Sequence, residues 1–451
     1  MAKIHFIGIG GISMSGLAEI LIDRGNTVTG SDSTPSDITK HLQELGAKIS
    51  FPQAAENVEP DTDEFIYTAA IHPDNPEFMA AKATGKPMLS RAELLGQIME
   101  SYKDSVCVAG THGKTSTTCM VSEILLAANE DPTISVGGIM PSIKSNIRVG
   151  KSAKFVAEAC EYTNSFHHFY PRYNIILNVE EDHMDFFKDL QDVRNSFRRF
   201  AENTSDDGVL VIGAEIPDVN ELTEGLKCKV ITFGLNEGDI YATNIKYNEN
   251  GLPSFTPVFK GEKLPTVVLH VPGEHNIKNA LAAIACTKEM GASDDAVTRG
   301  LSNFGGAKRR FEYKGIHESG AVVIDDYAHH PTEIRSSLTA AANYPHKRLI
   351  VVFQPHTYTR TKAFLDDFGK ALSATDLTIL APIYPAREED IYGVHSEDVT
   401  EKINESGGNS ISLPDFKSVE DYLKKNLKKG DLLITMGAGN VVDIGEHILE
   451  D

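Results

Sequence analysis

Short apolar runs recur along the chain, each closed by glycine, asparagine or charged residues, and most are followed by a longer stretch with helical spacing. Residues 4–7 form the first run. A glycine-rich turn over 8–16, a predicted helix over 17–24 and a second strand over 27–29 complete a βαβ opening. A second unit starts with a β-branched strand over 105–109 and a helix over 115–128, followed by buried-strand patterns at 154–157 and 174–179. Strand-rich sequence fills 209–271, and a helix is predicted over 276–290. Apolar runs at 321–324, 348–353, 377–380 and 431–435 alternate with helical stretches and define a third unit.

The pattern predicts an α/β protein of three domains. These are a Rossmann-like N-terminal domain over 1–104, a central P-loop-type ATPase domain with a mostly parallel sheet over 105–314, and a C-terminal Rossmann-like α/β domain over 315–451. Linkers are expected near 100–104 and 312–320, where polar and glycine residues break the periodicity. A length of 451 residues suits three domains of about 150 residues each.

Composition narrows the function classes. The 43 basic and 64 acidic side chains leave a net charge of −21, which argues against a general nucleic-acid or anionic-membrane surface. Anionic ligands must therefore be met by local positive sites. Cys107, Cys119, Cys160, Cys228 and Cys286 lack paired spacing, so neither a disulfide framework nor a zinc ribbon is indicated. No apolar run approaches the ~20 residues of a membrane span, and a cytoplasmic protein without membrane insertion is expected.

The densest chemistry lies in Gly110-Thr111-His112-Gly113-Lys114-Thr115-Ser116, between a strand and a helix. Glycines let backbone N–H groups close on phosphate oxygens, a lysine supplies a point charge, and the Thr115 hydroxyl can ligate magnesium at the helix start. The full P-loop pattern would place a further glycine where Val108 stands. The turn Gly8-Ile-Gly10-Gly11-Ile-Ser13-Met14-Ser-Gly16, with Ser31 and Asp32 after the second strand, suits a nucleotide diphosphate. Ser13 stands at the third glycine position of the dinucleotide fingerprint, which weakens a nicotinamide reading.

Glu158, Glu161 and His183 lie at or just past the ends of neighbouring predicted strands, from which they can converge on the phosphate loop. Magnesium prefers oxygen ligands, so Glu161 with Thr115 forms a plausible inner set, and His183 is the less expected member. Asn276 and Asn279 share one helix face and suit a base edge; equally, Asn276 serves as an N-cap. Lys308-Arg309-Arg310 is a compact cationic element. Asp325 to Glu333 packs ionisable groups behind a strand, and Gln354 to Thr361 repeats that layout with Arg360 available to a carboxylate.

Taken together, Gly8–Gly16, Gly110–Thr115, Asp325-Asp-Tyr-Ala-His-His-Pro-Thr-Glu333 and Phe353-Gln-Pro-His356 closely resemble the ATP-dependent Mur ligase family, in family order and over nearly the whole chain. The resemblance implies an amide ligase using ATP and Mg2+, with UDP-N-acetylmuramate and L-alanine as substrates and an acyl phosphate as intermediate. It assigns Gly8, Gly10, Gly11, Ser13, Met14, Ser31 and Asp32 to the UDP-sugar, with Arg91 nearby. ATP falls to Gly110 to Ser116, with His275, Asn276 and Asn279 around adenine, Arg310 on the phosphates, and Asp325 or Asp326 approaching the ribose. Metal falls to Thr115, Glu161 and His183, and the amino acid to His329 and Arg360. Lys114, Glu161, His183, Arg310 and His329 carry the catalytic roles.

Two departures stand out. Many relatives read Ala-Asp-Glu-Ser-Asp where this chain has Ala159-Cys160-Glu161-Tyr162-Thr163, so two acids beside the metal position are missing. Thr357 stands where many relatives carry an arginine, which leaves Arg360 alone or assisted by Arg387. Because the adenine residues and the ribose acid come from different domains, closure of the third domain on the second is expected. The rival readings are a related ligase that reattaches a recycled peptide, and a nicotinamide-dependent dehydrogenase. Oligomeric state stays open.

Overall fold

The computed structural model describes residues 1–68, 71–184, 186–386 and 388–450. Its described residues form three sheets. The first is all parallel, in the order Lys48–Ser50, Thr27–Ser31, Lys3–Ile7, Glu64–Tyr67, Met88–Ser90. The central sheet has a parallel heart in the order Thr133–Met140, Lys154–Glu158, Asp104–Ala109, Tyr173–Ile176, Val209–Gly213, Lys229–Phe233, with antiparallel strands at both margins. The third runs Glu312–Ile316, Val322–Asp326, Asp431–Met436, Arg348–Phe353, Leu377–Leu380, Ser410–Ser412 and is parallel apart from its first strand.

Two expectations change. The first helix spans Ile12–Asp23, five residues earlier than its pattern suggested, because Gly11 starts it with no side-chain cap to mark the site. The expected second linker contains a strand: Glu312–Ile316 pairs with Val322–Asp326. All five cysteines are free thiols. Among the described residues no helix is long and apolar enough to cross a membrane.

Packing fixes the phosphate-loop helix, Lys114–Ala127, deep in the central unit. Nearly all of it is buried, and its polar Thr118 and Ser122 fold back onto the carbonyls of Lys114 and Thr118 at 2.8 and 2.7 Å. The alanine-rich helix Glu274–Glu289 lies against the same face of the sheet. Gly300 lets the helix Asp294–Asn303 approach closely, since a Cβ there would stand 2.5 Å from the Ile124 Cα. On the other face one continuous core joins the first sheet to the central one, through Phe155, Phe166, Phe197 and Phe200. The carboxyl ends of the central strands and of Val322–Asp326 open on one crevice, where an α/β sheet places its ligands.

Candidate functional site

The phosphate loop is shaped by two left-handed glycines, Gly110 at φ +141° and Gly113 at φ +85°. A Cβ on Gly113 would stand 2.7 Å from Asn279 Oδ1, so the loop and the following helix leave no room for a side chain. Asn178 stitches the loop down: its Oδ1 accepts from the His112 N–H at 2.8 Å and its Nδ2 donates to the His112 carbonyl at 3.1 Å. Lys114, Thr115 and Ser116 then open the helix with N–H groups that have no intrahelical acceptor.

Lys114 Nζ donates to the Gly110 and Thr111 carbonyls at 2.6 and 3.1 Å and to both oxygens of Glu161 at 3.1 and 2.9 Å. Burial works against the ammonium, but the Glu161 carboxylate outweighs it and raises Lys114 above the ordinary lysine range. The Thr115 hydroxyl donates to Glu158 Oε2 at 2.9 Å, and the Gly137 N–H meets the same oxygen at 2.9 Å. His183 Nε2 lies 3.8 Å from Glu161 Oε1. The residues expected around a metal thus form two contacting pairs, Thr115 with Glu158 and Glu161 with His183, and the Lys114 ammonium feels both carboxylates. Glu161 is almost fully buried, and the Lys114 ammonium answers its charge. A hydroxyl and two carboxylates suit a hard divalent cation, with one imidazole beside them.

Beyond the loop lies a cavity of about 290 Å3 between the central and third units. Gly113, Thr115 and Ser116 line its phosphate end, and His275, Asn276, Lys278 and Asn279 its far wall. Gly273 begins the helix Glu274–Glu289, so Asn276 is not its N-cap; its Nδ2 donates to the Pro272 carbonyl at 2.8 Å, and Asn279 Nδ2 donates to its Oδ1 at 3.3 Å. Burial, with Lys278 adding to it, pushes His275 down to about 4, so it presents a neutral imidazole.

The two aspartates at the end of Val322–Asp326 face different surroundings. Asp326 lines the cavity; burial pushes it up to about 6, opposed by hydrogen bonds from Ser337 and the Ala328 N–H and by Arg310. Asp325 faces the other way. It accepts from Arg309 Nε at 3.0 Å and the Thr435 hydroxyl at 2.7 Å and takes no part in the cavity wall. The adjacent arginines divide likewise: Arg309 is spent on Asp325 and on the carbonyls of Gly437 and Gly439, while Arg310 faces the cavity.

Charged contacts cross from the central to the third unit. Arg360 donates to Asp182 Oδ1 at 2.9 Å, and the Thr332 hydroxyl donates to Glu180 Oε2 at 2.9 Å. His112 lies between two carboxylates, 3.3 Å from Glu333 and 3.7 Å from Glu180, and its ring centroid is 4.9 Å from that of His330. Burial opposes its charge, but Glu180 and Glu333 prevail and lift it to about 9. A folded-state value above the free imidazole's 6.5 means that this contribution to stability is complete below about pH 6.5 and fades as pH rises through about 9. Between pH 7 and 10 the unliganded protein is therefore expected to lose melting temperature more steeply than a His112→Asn variant. Identical profiles would refute the ion pair.

His329 sits nearby with its ring 5.6 Å from that of His356. Burial, aided by Arg360 and opposed by Glu333, pushes it down to about 3. Its Nδ1 is 2.9 Å from the Tyr327 carbonyl, which makes Nδ1 the donor and leaves Nε2 an acceptor. A neutral imidazole with Nε2 as acceptor is able to take a hydrogen bond from an amine, in keeping with the amino-acid-side position that the resemblance implied. Thr357, the departure noted above, caps the short helix Tyr358–Ala363, its hydroxyl accepting from the Arg360 N–H at 3.4 Å. Arg387 lies outside the described residues.

The N-terminal turn is held by its own hydrogen bonds. Gly8, at φ +84°, and Ile9 donate to the Ser31 carbonyl, each at 2.9 Å, and the Gly10 N–H donates to Asp32 Oδ2 at 2.7 Å. Gly10 needs to be glycine, since a Cβ would approach that oxygen to 2.8 Å. Gly11 starts the helix, and Ser13 in its first turn is exposed. Met14 and the Ser31 side chain, by contrast, are buried, Met14 within the shared core. Arg91 opens the helix Arg91–Glu100; burial lowers its pKa, opposed by the negative charge of Cys160 and Glu158.

Sequence reading missed the cavity's apolar wall of Ile216, Pro217, Phe233, Val271 and Phe304, and also Ser336 and Ser337. The available signal was position: Ile216 and Phe233 lie at or just past the carboxyl ends of parallel strands.

Comparison with known proteins covers the whole chain. The Mur ligase family, catalytic domain, matches residues 3–103; the Mur ligase middle domain matches 108–287; and the Mur ligase, glutamate ligase domain, matches 309–439. The chain is 57% identical over 448 residues to a UDP-N-acetylmuramate–L-alanine ligase of Agathobacter rectalis, covering 99% of this chain and 97% of that one. It is 50% identical to the protein of the same name in Clostridium novyi, with 99% and 97% covered. Among solved structures, the UDP-N-acetylmuramate-alanine ligase MurC of Thermotoga maritima superposes with a TM-score of 0.83 at 30% identity, covering 100% of this chain and 99% of that one. A murein peptide ligase of Psychrobacter arcticus shares the fold, with a TM-score of 0.71 at 24% identity and 100% and 98% covered.

Proposed function

Because the chain belongs to the Mur ligase family, we propose that it joins the amine of L-alanine to the lactyl carboxylate of UDP-N-acetylmuramate, driven by ATP, in peptidoglycan precursor synthesis in the cytoplasm. In this reading residues 1–104 hold the UDP-sugar, 105–314 hold ATP and 315–451 bring the amino acid. The observation that carries it is the meeting of Lys114, Thr115, Glu158, Glu161 and His183 at one end of a nucleotide-sized cavity whose other wall includes Asp326 and Arg310.

The first step brings two anions together. The lactyl carboxylate oxygen attacks the γ-phosphorus, ADP leaves, and Lys114 and Arg310 offset the charge repulsion in a crevice shielded from water. Magnesium, when bound, supplies further neutralisation of the phosphates, and Thr115, Glu158 and Glu161 would hold it with His183 beside them. Arg360 then holds the alanine carboxylate while His329 Nε2 accepts a hydrogen bond from its amine. The neutral amine attacks the acyl carbon, and phosphate departs carrying one oxygen of the former carboxylate and the proton that the nitrogen gives up. Carboxylate labelled with 18O is thus expected to deliver one label to inorganic phosphate; phosphate free of label would contradict the acyl phosphate.

Full-length identity to alanine ligases supports L-alanine over a recycled peptide. A nicotinamide-dependent dehydrogenase would leave Lys114 and Glu161 without a task.

A further inference from the structure

His183 is held by its backbone in an unusual way. It adopts φ +54°, a left-handed conformation uncommon for a residue with a side chain. Its N–H donates to Asp182 Oδ1 at 2.7 Å, and its carbonyl accepts from the N–H groups of Phe186 and Phe187 at 2.8 and 2.9 Å. The main chain is thereby fixed on both sides. What these contacts leave unset is rotation of the imidazole about its Cα–Cβ and Cβ–Cγ bonds, and the ring is a quarter exposed.

Tyr162 covers that freedom. Its ring lies on the imidazole with centroids 4.6 Å apart and an interplanar angle of 33°, and it also meets the edge of Phe186 at 6.1 Å. The segment that presents Tyr162 is built for the purpose. Thr163 and Asn164 both take left-handed conformations, at φ +54° and +58°. The hydroxyls of Thr163 and Ser165 both donate to the Tyr162 carbonyl, at 2.7 and 2.9 Å. The Asn164 N–H donates to the Glu161 carbonyl at 2.9 Å, and the Asn164 side chain is bonded to Ser196 on the helix Leu190–Glu202. One turn of chain thus presents Glu161 and Tyr162 together, the carboxylate 3.8 Å from His183 Nε2 and the aromatic ring against the imidazole.

We propose that Tyr162 is a positioning residue that sets the plane of the His183 imidazole, so that Nε2 faces Glu161 ready for a divalent cation. The inference rests on the reading of His183 as a metal-side residue. Partners that orient a ligating histidine change metal affinity by about 10- to 100-fold when removed. Ring stacking is the acting feature of the proposal.

The test is Mn2+ binding to the full-length protein with a non-hydrolysable ATP analogue, read from the free-Mn2+ electron paramagnetic resonance signal. Tyr162→Ser is expected to weaken Mn2+ by about tenfold or more, and Tyr162→Phe to keep the parent affinity within about threefold. His183→Ala serves as the control for the underlying reading, and the melting temperature of each variant reports folding. If His183→Ala weakens Mn2+ while Tyr162→Ser does not, the role of Tyr162 is overturned and that of His183 stands. If neither substitution changes Mn2+ affinity, both fail. A Tyr162→Phe loss as large as that of Tyr162→Ser overturns stacking as the cause.

Discussion

Replacing Lys114 by alanine is expected to lower turnover by at least about 100-fold while leaving UDP-N-acetylmuramate binding nearly intact. The expectation rests on where the ammonium stands. It is held by two loop carbonyls and both oxygens of Glu161, on the loop whose free N–H groups open the helix Lys114–Ala127. Removing it leaves Glu161 buried without the cation that answers its charge and leaves the phosphates short of a fixed positive group during transfer. The N-terminal turn is stitched by its own contacts through Ser31 and Asp32, so binding there has no reason to follow. Steady-state kinetics with calorimetry for the UDP-sugar separates the two effects. Near-normal turnover would remove Lys114 from the chemistry.

The second large effect is expected at Arg360. Arg360→Ala should lower kcat/KM for alanine by roughly 100-fold or more, chiefly through KM, and Arg360→Lys should recover only part of it. Its guanidinium is buried between Asp182 Oδ1 at 2.9 Å and His356 Nδ1 at 3.1 Å. Burial, with Arg360 adding to it, pushes His356 down to about 4, and such a neutral ring accepts from the guanidinium and orients it. Burial disfavours the charge on Asp182, but Arg360 and His183 outweigh this and hold it far below the usual carboxylate range. With the Thr357 hydroxyl committed to a helix cap, Arg360 is the described guanidinium of that turn, and a substrate carboxylate would share it with Asp182. An unchanged KM for alanine would place the amino acid elsewhere.

Much of this architecture was legible from local pattern. The apolar runs at 105–109, 154–157 and 348–353 became strands of the central and third sheets because burial on both faces leaves little choice of conformation. Gly110 to Ser116 was legible because its chemistry is local: glycines where φ is positive and a lysine at the helix start. The early start of the first helix was hidden, since Gly11 caps it by conformation alone. Glu312–Ile316 was hidden because a half-exposed edge strand containing glycine carries little alternation. Asp325 and Asp326 could not be told apart by composition, only by the pleat, which turns consecutive side chains to opposite faces. The apolar wall of the cavity depends on segments distant in sequence, from Ile216 to Phe304, and becomes visible only once the strands are placed side by side.

Phosphate release, coupled to a colour reaction, with UDP-N-acetylmuramate, ATP and each candidate in turn tests the central claim most directly. The account predicts release that requires both the UDP-sugar and L-alanine, with the amide product confirmed by mass. Release with a recycled peptide but not with L-alanine, or none with any amino acid, would contradict it.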